Sequence, residues 1–299
     1  MNLSLYKKPW SVIKKIFVVI GIIHVGWFLF FIFTNFSDAI AIKDFKWKLL
    51  IAMGVAAIAA TIYFLRLRKI IIIKKAVALV CKIAFTGYII FFFYFLLGYI
   101  FNPIITVTQL VSILRGDGLK RDYVSYNAMG SNIKLAVIAS EDQLFPDHDG
   151  FDLKAIKLAI KYNKKHPNKP QRGGSTISQQ AAKNIFLFQG GGFLRKGPEV
   201  FFTFTIETGY TKRTILERYL NIAEMGRGIY GIQAAAKNYF NKDAKDLTRA
   251  EAAQIAACLP NPKEYTVRPL SSKVKNRYDN IMRQMNNLEG DADVQEIIK

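Results

Sequence analysis

The sequence predicts a mainly α-helical protein whose first third lies in a membrane, and three observations carry that prediction. Residues 16–34, 49–65 and 83–101 are apolar runs without Asp, Glu, Lys or Arg. Beyond Pro103 apolar residues recur at helical spacing. Nowhere do two alternating apolar runs flank a hairpin turn, so a sheet domain is not expected.

At about 1.5 Å per residue each apolar run nearly crosses a hydrocarbon layer of roughly 30 Å, so three transmembrane helices are expected. The first run is longer than a signal-peptide core and has no small-x-small exit, which favours a span over a cleaved leader. Lys7, Lys8, Lys14 and Lys15 precede it, and Arg66, Arg68, Lys69, Lys74, Lys75 and Lys82 separate the second run from the third. The loop between the first two carries Lys43, Lys46 and Lys48, diluted by Asp38 and Asp44. Positive-inside logic then places the N-terminus in the cytoplasm and everything after Asn102 outside. The short run 70–73 cannot span; it is expected at the interface or as an extension of a neighbouring helix. His24 falls mid-span, where a neutral imidazole bonded to a neighbouring helix is the cheaper arrangement.

The 299 residues carry a formal charge of +20, and mean hydropathy is +0.15. Residues 1–102 hold 13 basic and 2 acidic side chains, so +11 lies there and +9 beyond. Basic loops that flank lipid spans do not make a nucleic-acid binder. With only Cys81 and Cys258 there is neither a disulfide framework nor a thiolate metal site, and three histidines do not supply a zinc site.

In the region after residue 102 helices are expected over 133–140, 175–188, 212–224 and 247–259. The third puts Ile215, Leu216, Tyr219, Leu220 and Ala223 on one face, with Gly226 as its stop. The fourth opens on a capping box, Thr248 with Glu251, and ends at Pro260-Asn261-Pro262.

Three clusters carry chemistry. Glu141 and Asp142 end an apolar helix and lead into Phe145, His148 and Gly150. A carboxylate there has two reasons for a raised pKa, desolvation and a like charge beside it, and that suits a general base. Around Gly173, Gly174, Ser175 and Thr176 a tight turn feeds a helix, with Thr176 and Gln179 at capping-box spacing. Free N–H groups at such a turn suit an anion, and Lys183 returns to the same helix face with Asn184 beside it. The Gly-x4-Gly-Lys spacing of a Walker loop is absent. Finally Arg195 and Lys196 precede Glu199, after an apolar, glycine-rich stretch at 186–194 that reads as a lipid-facing lip.

Together and in this order the clusters resemble the family 51 peptidoglycan glycosyltransferases, in particular the monofunctional membrane enzymes. The resemblance runs from about residue 103 to about residue 290. It rests on Glu-Asp-x-x-Phe-x-x-His-x-Gly at 141–150, Gly-Gly-Ser-Thr-Ile-Ser-Gln-Gln-x-x-Lys-Asn at 173–184 and Arg-Lys-x-x-Glu at 195–199. The stretches Lys212 to Asn221, with Gly226, Gly231 and 234–240, and Leu247 to Pro262 match as well.

The resemblance implies a two-lobed, lysozyme-like fold with a membrane-embedded jaw at 186–194, on the periplasmic side of a bacterial inner membrane. It implies lipid II and a growing glycan strand as substrates, membrane lipids as surroundings, and other wall-synthesis proteins as candidate partners. Glu141 would be the general base, and Glu199 the second catalytic glutamate, holding the cations Lys183, Arg195 and Lys196 or helping to ligate a divalent ion and not transferring a second proton. Gly174, Ser175, Thr176, Gln179, Lys183, Asn184, Arg195 and Lys196 would bind or shape the diphosphate site, and Asp142, Phe145 and His148 would support it. No cofactor would be obligatory, and a divalent cation (Mg or Mn) would be compatible with the diphosphate.

The sequence departs from the pattern at Gly191, where relatives usually have an Arg eight residues after the motif Lys. Pro198 suits a first helical turn and is expected to break a helix begun well before Gly197. A lytic transglycosylase or muramidase is the nearest alternative, and an inactive wall-synthesis scaffold is another. A penicillin-binding transpeptidase is excluded because Lys-Thr-Gly is missing.

Overall fold

The computed structural model describes residues 7–35, 45–169, 171–187 and 192–299. The chain divides into two compact units, one of Met1–Leu97 with Leu153–Arg172 and one of Gly98–Asp152 with Gly173–Lys299.

The first unit contains α1 (Lys7–Asn35), α2 (Phe45–Leu65), most of α3 (Ile71–Ile100) and α6 (Leu153–Lys165). Three stretches of these helices, Val12–Asn35, Phe45–Leu65 and Ile71–Ile100, are long and apolar enough to cross a membrane. Their side chains are largely bare of protein contact, as lipid-facing surfaces are, and the protein is membrane-anchored. The third helix begins at Ile71 and not near residue 83, so residues 71–73 extend that helix. At 30 residues it measures about 45 Å, longer than the hydrocarbon layer. Its first turns, which carry Lys74, Lys75 and Lys82, have length to spare beyond the lipid core. Helices α1 and α3 meet through Phe17 and Phe92, edge to face at 5.6 Å, and through His24, whose Nδ1 lies 3.4 Å from the Tyr88 hydroxyl. The imidazole is thus bonded to a neighbouring helix, as expected for a polar group in lipid.

In the second unit α5 (Ser131–Glu141) is the buried axis: Ile133 through Ala139 are buried without a break. A helix apolar on all sides needs partners on all sides, and α11 (Arg249–Cys258), α12 (Ser272–Leu288) and α13 (Ala292–Ile298) supply them. Lys134 sits among these apolar residues with its Nζ 3.7 Å from the Tyr126 ring centroid, donating to the Ile298 carbonyl at 3.1 Å. Burial pushes its pKa down to about 8. A second layer stacks α7 (Ile177–Phe186) between α8 (Gly192–Gly209) and α9 (Lys212–Ile222). Buried Arg218 on α9 donates to the carbonyls of Gly98 and Tyr99 and to Asn102, so it caps the C-terminal end of α3.

Helix α11 opens on the expected box, Thr248 Oγ1 accepting from Glu251 N. Several elements differ from expectation. Residues 224–226 are not the tail of α9 but a strand, β2 (Glu224–Gly226), paired antiparallel with β3 (Ile229–Tyr230). With β1 (Lys120–Arg121) parallel to β3, they form a small sheet of order β1-β3-β2. Strands of two or three residues are too short to display a period of two, which is why the pattern was silent. Helices α4 (Val107–Leu114), α6, α10 (Ile232–Phe240), α12 and α13 also lay outside the expected set. Helix α8 runs through Pro198 from Gly192. The residue before a proline is normally forced out of the α region by its own Cβ, and Gly197 has none.

Candidate active site

Glu141 closes α5, and Asp142 caps it with an extended backbone (φ −164°). The two neighbours are thereby sent in different directions. Asp142 is buried and accepts a 2.9 Å bond from Ile177 N at the start of α7. Its carboxylate also accepts from His148 Nε2, at 2.9 and 3.1 Å, because Gly150 N donates to His148 Nδ1 and so fixes the tautomer. Gly150 has φ +89°, and an added Cβ would lie 2.7 Å from Glu207 and 2.9 Å from Thr203. The motif thus requires glycine for backbone and space together. Phe145 is wholly buried under Lys212, whose Nζ stands 4.8 Å from the ring centroid and donates to the His148 carbonyl. These side chains bolt the end of α5 to the start of α7.

The glycine turn then enters α7 through the expected capping box. Thr176 Oγ1 accepts from Gln179 N at 3.1 Å, Gln179 Oε1 accepts from Thr176 N at 3.1 Å, and the Thr176 hydroxyl donates to Gly150 O. Both side chains are buried in the cap, where Thr176 and Gln179 shape the turn. Ser175 is exposed and Gly174 partly so. Arg172, in the other unit, stacks on Tyr162 at 3.8 Å.

Glu141 is held differently from Asp142. Its Oε2 accepts from Gln180 Nε2 at 2.8 Å, and Arg277 Nη2 lies 3.7 Å from its Oε1. Burial raises its pKa; Gln180 and Arg277 oppose the rise, and Asp142 adds a smaller push upward. Desolvation therefore dominates, with like charge secondary. Gln180, with Tyr219 donating to its Oε1 at 3.4 Å, and Arg277, which donates to Ala257 O at 3.2 Å, were not singled out from the sequence.

Lys183, Asn184 and Arg195 line one cleft of about 300 Å³ with Gln180, Tyr219, Glu224, Asn261 and Lys263. Burial is the main cause that lowers the Lys183 pKa; Glu199 and Glu141 oppose it, and Arg195 and Lys196 reinforce it. All five groups thus share one electrostatic neighbourhood. Glu199 is 2% exposed, and its two oxygens accept from Arg195 Nη1 and Lys196 Nζ, each at 2.5 Å. It orients both cations, leaving Arg195 on the cleft wall. On the far wall buried Glu224 has its pKa raised by burial, with Lys263 3.5 Å away. Lys263 itself holds Asp117 at 2.6 Å.

Gly191, and the lip at 186–194 except for Phe186 and Leu187, lie outside the described residues and side chains. Phe186 stacks on Phe202 at 4.8 Å. Among the described residues no group of three or more His, Cys, Asp and Glu could hold a metal ion.

A largely desolvated carboxylate beside a cleft of fixed cations, on a helical domain that follows apolar spans, fits a membrane-anchored glycosyl-transfer enzyme. Residues 108–286 match the transglycosylase family. A biosynthetic peptidoglycan transglycosylase of Haemophilus influenzae is 48% identical over 191 residues, 63% of this chain and 77% of the relative. One from Mannheimia succiniciproducens is 53% identical over 167 residues (56% and 68%), and one from Yersinia pseudotuberculosis 44% over 226 (75% and 92%). The chain belongs to the transglycosylase family, with its lysozyme-like fold, as a monofunctional peptidoglycan glycosyltransferase.

Proposed function

We propose that this enzyme polymerises lipid II into glycan strands by inverting glycosyl transfer, with Glu141 as general base. The observation that supports this most directly is the pairing of a carboxylate of raised pKa with a nearby cationic cleft. Ionised Glu141 takes the proton of the acceptor sugar's 4-hydroxyl as that oxygen attacks C1 of the donor. The C1–O bond to the polyprenyl diphosphate breaks, and its electron pair leaves on the phosphate oxygen. Charge grows on that diphosphate, and in this reading Lys183 and Arg195, which line one cleft, meet it with no reorganisation at the moment of reaction. Glu199 is assigned the holding of Arg195 and Lys196; with both oxygens so engaged it is not a second proton carrier. No step is assigned to a divalent ion, because among the described residues no group of three or more His, Cys, Asp and Glu is gathered to hold one; a Mg or Mn ion on the diphosphate itself stays compatible with this reading. In the same reading the N-terminus is cytoplasmic and the catalytic domain lies outside, on the charge asymmetry of the loops.

The test is strand formation by the full-length chain supplied with purified lipid II. Glu141→Gln is expected to abolish polymer while the melting temperature holds or rises, because the amide no longer has a buried charge to desolvate. Polymerisation by this variant at the parental rate would remove Glu141 from the mechanism. Release of muropeptides from finished sacculi, without strand growth, would favour the lytic alternative.

A further inference from the structure

Helix α4 is inside out. It begins after the last residues of α3, and its buried face is polar: Thr108, Gln109 and Ser112, with the cap residue Thr106. Each of these has a protein partner. Thr106 and Gln109 complete a capping box, and the Thr106 and Thr108 hydroxyls meet at 2.8 Å. Gln109 Nε2 donates to the Tyr123 hydroxyl at 3.0 Å, and Ser112 Oγ to Gly118 O at 2.8 Å. The opposite face, Val107, Leu110, Ile113 and Leu114 at helical spacing, is exposed, Leu114 at 77%.

A helix that seats polar groups on its own protein and turns a full apolar stripe outward is not solved for water. The stripe does not stand alone. Tyr99, Ile100 and Phe101 at the end of α3, then, past Asn102 and buried Pro103, Ile104 (86% exposed) and Ile105, lead into it as exposed apolar side chains. The run leaves a span that faces lipid, so the occupant continuous with it is the bilayer. Arg115, exposed at the C-cap of α4, followed by exposed Lys120 and Arg121, gives the polar rim a cationic sign suited to phospholipid headgroups.

We propose that α4 is an interfacial helix, with Val107, Leu110, Ile113 and Leu114 sunk into the leaflet that α3 leaves. Its function would be to hold the catalytic domain at a fixed depth on the membrane surface from which a lipid-linked substrate must be drawn.

Spin labels placed singly at Leu110, Ile113 and Leu114 test this in the full chain, in vesicles of phosphatidylethanolamine and phosphatidylglycerol. Exposed Cys81 is replaced by serine, and buried Cys258 is left in place. Because the labelled side chains are exposed, the label displaces no core. All three sites are expected to collide with oxygen more than with a nickel chelate, at a depth of roughly 5–10 Å below the headgroups. A label at exposed Lys245 should show the reverse. Nickel accessibility at 110, 113 and 114 equal to that at 245 would put the face in water and overturn the proposal. Shielding from both reagents would also overturn it; spin–spin broadening in that case would point to a second copy, and its absence to cover by another part of the same chain.

Discussion

Gln180 Nε2 donates to Glu141 Oε2 at 2.8 Å, while its Oε1 accepts from the Tyr219 hydroxyl. The Tyr219 bond orients the amide, so it is the donor end that faces the carboxylate. Burial keeps Tyr219 protonated and able to give that bond. The Gln180 bond favours ionised Glu141, against the desolvation that favours the neutral acid.

Removing that bond should therefore move a measurable limb. A base works only when deprotonated, so activity falls as pH drops through the pKa of Glu141. In Gln180→Ala that pKa rises further, and the acid limb of kcat should shift to higher pH. At neutral pH kcat should fall about tenfold, the size of one charge-assisted hydrogen bond, with KM little changed. An acid limb that stays put or moves down would detach Gln180 from the base.

Glu199→Gln separates orientation from proton transfer. The amide keeps the shape but not the charge that gathers Arg195 and Lys196. The expected outcome is a loss in kcat/KM of about 100-fold, from two weakened ion contacts near the leaving group, with the acid limb unmoved. A displaced acid limb would show that the Glu199 charge acts on the titration of the base and does more than hold the cations. Binding of a diphosphate-containing substrate analogue should weaken in parallel.

Asp142→Ala tests the bolt between α5 and α7. The substitution leaves the buried Ile177 N–H and His148 Nε2–H without their acceptor. Orphaned buried donors cost about 1–3 kcal/mol each, so melting should fall by several degrees and activity should fall with it. Asp142→Asn still offers one acceptor oxygen and should lose less. Equal melting temperatures for the two variants would show that the bond to Ile177 carries little.

What the sequence disclosed was local and what it withheld was tertiary. The boxes Thr176–Gln179 and Thr248–Glu251 each span four consecutive residues and are readable as written. Glu141 was readable because an apolar helix that ends in an acid implies desolvation. Gln180 carries no such local mark, yet adjacent helical residues differ by about 100° in direction, so that Gln179 turns into the cap while Gln180 turns to Glu141. Arg277 joins the site through the packing of α12, Glu224 through β2 and Lys263 through the turn after α11, and no spacing announces that. Helix α4 escaped because its apolar stripe faces away from the protein and continues the surface of a span.

The last prediction concerns stability and pH. Lys134 is buried in α5 with its pKa pushed down from 10.5 to about 8, burial being the main cause. The fold thus prefers the neutral amine, whereas the unfolded chain holds its proton up to about 10.4. Below pH 8 both states are protonated and the full cost of burying the ammonium is present. As pH rises through 8 the folded state sheds its proton first, so stability contributed by this group increases between about pH 8 and pH 10. Tyr126 and the last turn of α13 face the amine, and Arg213 and Glu217 act on it from α9. The melting temperature of the parent should accordingly rise, or fall less, across that window relative to Lys134→Met, which has no proton to lose. Methionine keeps the apolar stem and gives up the bond to Ile298 O and the ammonium's contact with the Tyr126 ring, losses set against the cost of burying the charge, so at pH 7 the variant should melt close to the parent. Parallel melting curves for the two proteins from pH 7 to 10 would show that Lys134 does not titrate in the fold.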